Sequence, residues 1–170
     1  MERIDAVTLK DKPLTVLGPE LKVGDKAPEF ELTDQKLGVV TLSDTTGRPR
    51  FFSVVPSLDT PVCDAQTKRF NEAAARFPGV DFYTVSMDLP FAQRRWCTSF
   101  GAEHIKMLSD HRTGSFGLAY GTLIKDQRIE SRAIFVLDKD DTLQYVEYVK
   151  EIASAANYDR AIAEVEKLAG

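Results

Sequence analysis

Cys63 closes the segment Pro56-Ser57-Leu58-Asp59-Thr60-Pro61-Val62-Cys63, which directly follows the apolar run Phe51-Phe52-Ser53-Val54-Val55. The run reads as a buried strand and the segment as the opening of a helix. Thr60 is a good N-cap, and Pro61 suits the first helical position. Cys63 then falls in the first turn, where unpaired backbone N–H groups and the positive end of the macrodipole favour an anion. A thiol so placed ionises readily, and the thiolate is the nucleophilic form. The chemistry on offer is attack by sulfur.

Asp59 and Asp64 flank this cysteine and would oppose ionisation if they came close, so a cation is needed nearby. Arg132 heads the run Arg132-Ala133-Ile134-Phe135-Val136-Leu137, which is apolar on both alternating faces, as expected of an interior strand. An arginine there is costly unless paired or hydrogen-bonded. If this strand runs antiparallel to the one before Cys63, Arg132 lies beside the sulfur. The alternative is a solvent-facing arginine just outside the sheet. Thr60 offers a hydroxyl as well as a cap, and the backbone N–H groups of Val62 and Cys63 are placed to hold an oxygen on which charge develops. Pro56 ends the strand. Cys97 follows Cys63 by about 34 positions and, read alone, is a core cysteine beside Trp96.

These residues must be positioned by the elements around them. Val7 to Lys10 and Leu14 to Leu17 flank Asp11-Lys12-Pro13 as a hairpin, and Phe30 to Leu32 with Val39 to Leu42 suggest a second strand pair. After the strand at Arg50 to Val55, helix and strand alternate. The spacing of Cys63, Thr67, Phe70, Ala74 and Phe77 gives one helical face ending near Pro78-Gly79. Val80 to Ser86 is a strand, Pro90 to Phe100 a helix closed by Gly101, Lys106 to Leu108 a short extended piece and Ser115 to Tyr120 a short helix. Arg132 to Asp138 and Thr142 to Tyr148 form a hairpin, and Tyr158 to Ala169 a final amphipathic helix. The first two core strands must be parallel because a helix crosses between them. Sites in such sheets gather at the carboxyl ends of the strands, which is where Cys63 stands.

Composition bounds the function classes. A chain of 170 residues with 43% hydrophobic and 28% charged content suits one soluble domain spanning 1–170. A net charge of -4 argues against nucleic-acid or anionic-membrane binding. The start lacks the pattern of a secretory signal and no run approaches a membrane span, so the expected location is the cytoplasm. Two cysteines in that compartment are inert, catalytic or metal-bound rather than a structural bridge. With His104 and His111 they match no usual zinc spacing. Gln93-Arg94-Arg95 reads as a solvated helix face.

P-x-x-x-T-x-x-C, carried here by Pro56, Thr60 and Cys63, resembles the peroxidatic motif of peroxiredoxins. The longer runs Ser53 to Thr67 and Ser86-Met87-Asp88-Leu89-Pro90-Phe91-Ala92-Gln93, ending at Trp96-Cys97, are similar to the thiol peroxidase subfamily, the atypical two-cysteine type. Val7-Thr8-Leu9-Lys10 and Tyr145-Val146-Glu147-Tyr148 extend the likeness over nearly the whole chain. The resemblance implies an α/β thioredoxin-like fold with an N-terminal β-hairpin extension. It implies Cys63 as the peroxide-attacking thiolate and Arg132 as the active-site arginine. Thr60 would then hydrogen-bond the thiolate and the peroxide, and Pro56 would shield the sulfur from water. Cys97 becomes the resolving cysteine that closes an intrachain disulfide. Substrates would be hydrogen peroxide and organic hydroperoxides, the reductant thioredoxin and the assembly a homodimer, with no cofactor or metal.

A disulfide bond has a narrow Cα separation, about 4.4–6.8 Å, and two cysteines on separate helices are expected to lie outside it. Local unwinding should therefore accompany oxidation. Two rival readings stand beside the peroxidase. A thiol–disulfide oxidoreductase would normally carry C-x-x-C at the helix start, where this chain has Thr60 and Gln66 on either side of a single cysteine. A redox sensor would use the same thiolate but pass its disulfide to a partner.

Overall fold

A computed structural model describes residues 1–169. The chain begins with β1 (Glu2–Leu9) and β2 (Lys12–Leu17), an antiparallel hairpin turned at Lys10 and Asp11. Both turn residues have positive φ, 50° and 67°, the twist that a two-residue hairpin loop requires. The turn thus lies ahead of Lys12 and Pro13, which belong to the second strand. Next come β3 (Glu31–Thr33) and β4 (Val39–Thr41), paired antiparallel, and a single helical turn, α1 (Leu42–Thr45), which sequence periodicity was too short to reveal.

The core then unfolds in the expected order: β5 (Arg50–Val54), α2 (Pro61–Arg76), β6 (Asp81–Ser86), α3 (Pro90–Phe100), β7 (Ile105–Ser109) and α4 (Ser115–Tyr120). A two-residue strand, β8 (Leu123–Ile124), precedes the hairpin of β9 (Ala133–Leu137) and β10 (Leu143–Tyr148), and α5 (Tyr158–Ala169) follows. The larger sheet has the order β10-β9-β5-β6-β7-β3-β4. Its three central strands β5, β6 and β7 are parallel, and β9 runs antiparallel to β5, with Val54 opposite Ala133. Arg132 therefore enters β9 at the carboxyl end of β5, on the side where α2 begins.

Period-two alternation divides the core between the two faces of this sheet. Phe51, Phe82, Ile134 and Val136 pack with Phe70 of α2 and with Ala161, Ile162 and Val165 of α5. Phe52, Val54, Tyr83 and Phe135 pack on the opposite face with Phe116 and Tyr120 of α4. Gly101 ends α3 in the left-handed conformation, φ 63°, with its N–H returning to the Cys97 carbonyl. That closes the helix one turn after Cys97.

The N-terminal hairpin extension gains β8 as a third strand, in the order β1-β2-β8. Val7, Val16, Ile124 and Ile152 form its own small core. Thr8 binds the chain beyond β10 on both sides: its N–H donates to Lys150 O at 2.7 Å and its carbonyl accepts from Ile152 N at 2.9 Å. Among the described residues no helix is long and apolar enough to cross a membrane.

Candidate active site

The expected helix start is present. Thr60 caps α2, Pro61 is its first residue, and the Thr60 hydroxyl accepts the Cys63 N–H at 3.3 Å. The Thr60 carbonyl accepts from Asp64 N at 2.9 Å, and the hydroxyl itself donates to Ser57 O at 3.3 Å. One expectation changes here. The Cys63 N–H is taken by the cap, so the amide left to face a developing negative charge is that of Val62. Pro56 is buried at the head of this loop, two residues after β5 ends.

Cys63 is fully buried, and its sulfur receives the Nη2 of Arg132 at 3.0 Å. Arg132 is itself 1% exposed and is fixed by two further bonds. Its Nε donates to Ile152 O and its Nη1 to Gln66 Oε1, each at 3.0 Å. Among the described residues it joins no carboxylate in an ion pair. A guanidinium taken out of water needs a counter-charge. The group in contact that can supply one is the Cys63 sulfur.

Gln66 escaped the sequence reading, which named it only as the place a second cysteine would occupy. It is fully buried one turn after Cys63, and its amide donates to Ser53 Oγ at 2.8 Å while its carbonyl takes Arg132. The signal was present in principle: a polar side chain on the buried face of α2, spaced i, i+3 from the cysteine. Asp59 and Asp64, the acidic neighbours of concern, turn elsewhere. Asp59 is exposed and pairs with Arg95 at 3.8 Å, while Asp64 pairs with Lys68 at 2.9 Å.

Cys97 is half-buried on α3 and free, as is Cys63. Its sulfur receives the Gln35 amide at 3.4 Å, in the turn between β3 and β4, and it lines a cavity of about 450 Å³ with Gln35, Lys36, Tyr83 and Met107. Burial pushes the Cys97 thiol up from its ordinary value, partly opposed by the Gln35 bond. The strands leading to the two sulfur partners, β9 and β3, stand four steps apart in the sheet, roughly 19 Å at the usual strand spacing. Thr60, Cys63 and Arg132 are thus joined by hydrogen bonds, Pro56 is buried in the same loop, and Cys97 is bonded instead to Gln35. A bond does span the two helices: the Trp96 indole N–H donates to Asp64 Oδ1 at 2.8 Å, linking the neighbours of both cysteines.

Other side chains depart from expectation. Gln93, read as part of a solvated face, is fully buried and donates to Ser86 Oγ at 3.2 Å and Leu108 O at 3.0 Å, because it sits on the inner side of α3. Arg94, which donates to Gln35 O, and Arg95 are both exposed, as expected of a solvated face.

A cysteine capped into a helix start at the end of a parallel strand, with a buried arginine on its sulfur, defines a thiol-based redox enzyme on a thioredoxin-like scaffold. Comparison with known proteins gives the family. The Redoxin family model matches residues 22–162. The chain is 54% identical over 157 residues to a thiol peroxidase of Halalkalibacterium halodurans, covering 92% of this chain and 95% of that protein. It is 48% identical over 156 residues to the thiol peroxidase of Bacillus subtilis, covering 92% and 93%. Among solved structures, a peroxiredoxin-like protein from Aquifex aeolicus superposes with a TM-score of 0.90 at 42% identity, covering 98% of this chain and 99% of that one. A thiol peroxidase from Chromobacterium violaceum, at 22% identity and a TM-score of 0.86, shares the fold. The chain belongs to the redoxins and, within them, to the thiol peroxidase group of the peroxiredoxins.

Proposed function

We propose that the chain acts as a single domain that reduces hydrogen peroxide and organic hydroperoxides through Cys63, with Cys97 as resolving cysteine and thioredoxin as reductant. The observation that carries this reading is the bond from buried Arg132 to the Cys63 sulfur. The guanidinium and the start of α2 together stabilise negative charge on that sulfur. The thiolate attacks one peroxide oxygen, the O–O bond breaks, and the electron pair leaves on the distal oxygen, which takes a proton to depart as water or an alcohol. Arg132 and the Val62 N–H stabilise the charge developing on that oxygen, and the Thr60 hydroxyl oxygen accepts a hydrogen bond from the bound peroxide. Pro56 closes the strand-side wall against water.

The product is a Cys63 sulfenic acid. Cys97 attacks its sulfur, water leaves, and an intrachain disulfide forms that an external dithiol reduces by exchange. In the reduced fold Cys97 is tied to Gln35 with its thiol shifted upward, which suits a group that stays inert until α3 moves. Support for a homodimer comes from Leu89, Phe91 and Phe100, large apolar side chains exposed around α3 near the site. The absence of C-x-x-C disfavours a general thiol–disulfide oxidoreductase. The 54% identity to a thiol peroxidase over nearly the whole chain favours catalysis over sensing, and a cytoplasmic setting would keep both thiols reduced.

Steady turnover with thioredoxin, its reductase and a reduced nicotinamide, on hydrogen peroxide and on cumene hydroperoxide, tests the reading. Cys63→Ser should abolish activity on both. Cys97→Ser should abolish thioredoxin-driven turnover while leaving one round of Cys63 oxidation. Full activity in either variant contradicts the assignment.

A further inference from the structure

The carboxylate of Asp88 sits where the two cysteine-bearing segments meet, and the chemistry above leaves it without a role. Asp88 follows β6 and immediately precedes Leu89, the N-cap of α3. Its Oδ1 accepts from Ser57 Oγ at 2.8 Å, and its Oδ2 accepts from the Leu58 backbone N–H and from Ser86 Oγ, both at 2.8 Å. Its own N–H returns to Ser86 Oγ at 3.3 Å, and its carbonyl accepts from Ser109 Oγ at 2.6 Å. Asp88 is therefore fixed to the ends of β6 and β7 on one side. On the other it grips the loop that leads into Cys63. The grip reaches the cap, because the Ser57 carbonyl accepts from the Thr60 hydroxyl that in turn holds the Cys63 N–H.

Three donors converge on this one side chain, and hydrogen bonds to an ionised acceptor are roughly twice as strong as neutral ones. An amide in its place turns one acceptor oxygen into a donor. Its oxygen can still meet the Leu58 N–H and Ser86 Oγ while its NH2 faces the Ser57 hydroxyl, which turns to accept, so what is lost is the charge on the acceptor. The loop would be held more weakly even though the side-chain volume is unchanged.

We infer that Asp88 is a positioning residue that keeps the 56–60 loop in the form where Cys63 meets Arg132, and that its release frees the loop and the α3 arm during disulfide closure. The second half of this inference rests on the proposed roles of Cys63 and Cys97. Holding and releasing make opposite demands. Loosening the clamp slows peroxide attack, which needs the closed loop, and speeds closure, which needs the open one. A side chain that merely stabilises the fold would not split the two rates in opposite directions.

Trp96 is the sole tryptophan of the sequence, and its indole bonds Asp64 beside Cys63, so its fluorescence reads the gap between α2 and α3. Pre-reduced wild type, Asp88→Asn and Ser57→Ala are mixed with hydrogen peroxide in a stopped-flow instrument. Trp96 emission is followed while acid-quenched samples are assayed by mass for sulfenic acid and disulfide. In Asp88→Asn, Cys63 oxidation should slow about tenfold and closure should quicken about tenfold, the scale of one lost charge-assisted hydrogen bond. Ser57→Ala, which removes one of the three donors, should shift both rates in the same directions by less. Unchanged rates in both variants, or rates that fall together, overturn the inference. If Asp88→Asn does not fold, Ser57→Ala decides by the same pair of rates. If wild type closes no disulfide, the assignment of Cys97 fails on its own. The oxidation rate then judges Asp88: slowing upholds its positioning role and an unchanged rate removes it.

Discussion

Arg132 and Cys63 form the contact that places a cation on the sulfur, and their burial makes each dependent on the other. Arg132→Met keeps much of the side-chain length while removing the donors. Loss of one such charge-stabilising group slows a reaction by about 100-fold or more, so peroxide oxidation of Cys63 in this variant should fall by that order, with the far-ultraviolet circular dichroism unchanged. Competition kinetics against a reference peroxidase measure the rate, and a wild-type value would remove Arg132 from the chemistry. Gln66→Ala tests the support of the arginine. It leaves the Arg132 Nη1 without its 3.0 Å acceptor but keeps the sulfur contact, so oxidation should slow about tenfold, less than in Arg132→Met. An effect larger than that of Arg132→Met would mean that Gln66 acts on the sulfur by another route.

At the scale of elements, the approach to β9 sets where Arg132 emerges. Glu130 lies two residues before it, fully buried, with Oε2 accepting from Thr122 Oγ1 at 2.6 Å. Burial first, and then the facing Asp110, push the Glu130 carboxyl well above its ordinary value of 4.5, while Arg128 opposes them. Asp110 in turn accepts the Phe116 and Gly117 N–H groups at the start of α4. The folded state therefore holds a proton that the unfolded chain gives up. The stability this confers is complete below about pH 4.5 and is lost as pH rises toward the folded value. Denaturant midpoints of the wild type should fall as pH rises above about 4.5, and Glu130→Gln, neutral at every pH, should show a flatter decline. Equal slopes would contradict the buried proton.

The same scale shows what could be read from residues alone. The parallel strands and α2, α3, α4 and α5 announced themselves because apolar period and caps are local signals, and the boundaries of α3, α4 and α5 coincide with the structure. β8 and α1 did not, since a two-residue strand exists through its partners and a single helical turn carries too little period. The motif residues Pro56, Thr60 and Cys63 were legible through their spacing and its resemblance to a known motif, whereas the cost of an arginine at the head of an apolar strand left Arg132 open between a buried partner and a solvent-facing side chain until the resemblance favoured the first. Gln66 and Asp88 went unread. Their importance lies in what faces them across the sheet ends, Arg132 and Ser57; the helical spacing of Gln66 marks it as inward-facing but does not name its partner, and Asp88 carries no local mark.

For the whole molecule, the architecture separates two demands on one chain. The N-terminal hairpin holds the 150–152 segment through Thr8, and that segment supplies Ile152 O to Arg132, so even the extension contributes to the placement of the cation. β5 and β9 are buried throughout and β6 at all but Asp81, forming a frame around which the loop before α2 and the arm of α3 are held by polar contacts. Polar clamps on the loop and the arm, with apolar packing within the frame, are what the proposed cycle of local unfolding would ask for. The central claim is that these two arms bring Cys63 and Cys97 together within one chain. Anaerobic mixing of reduced protein with one equivalent of hydrogen peroxide, followed by intact and peptide mass analysis, tests it directly. The account predicts rapid loss of both thiols and a Cys63–Cys97 link inside a single chain; persistent sulfenic acid at Cys63 with Cys97 still free would contradict it.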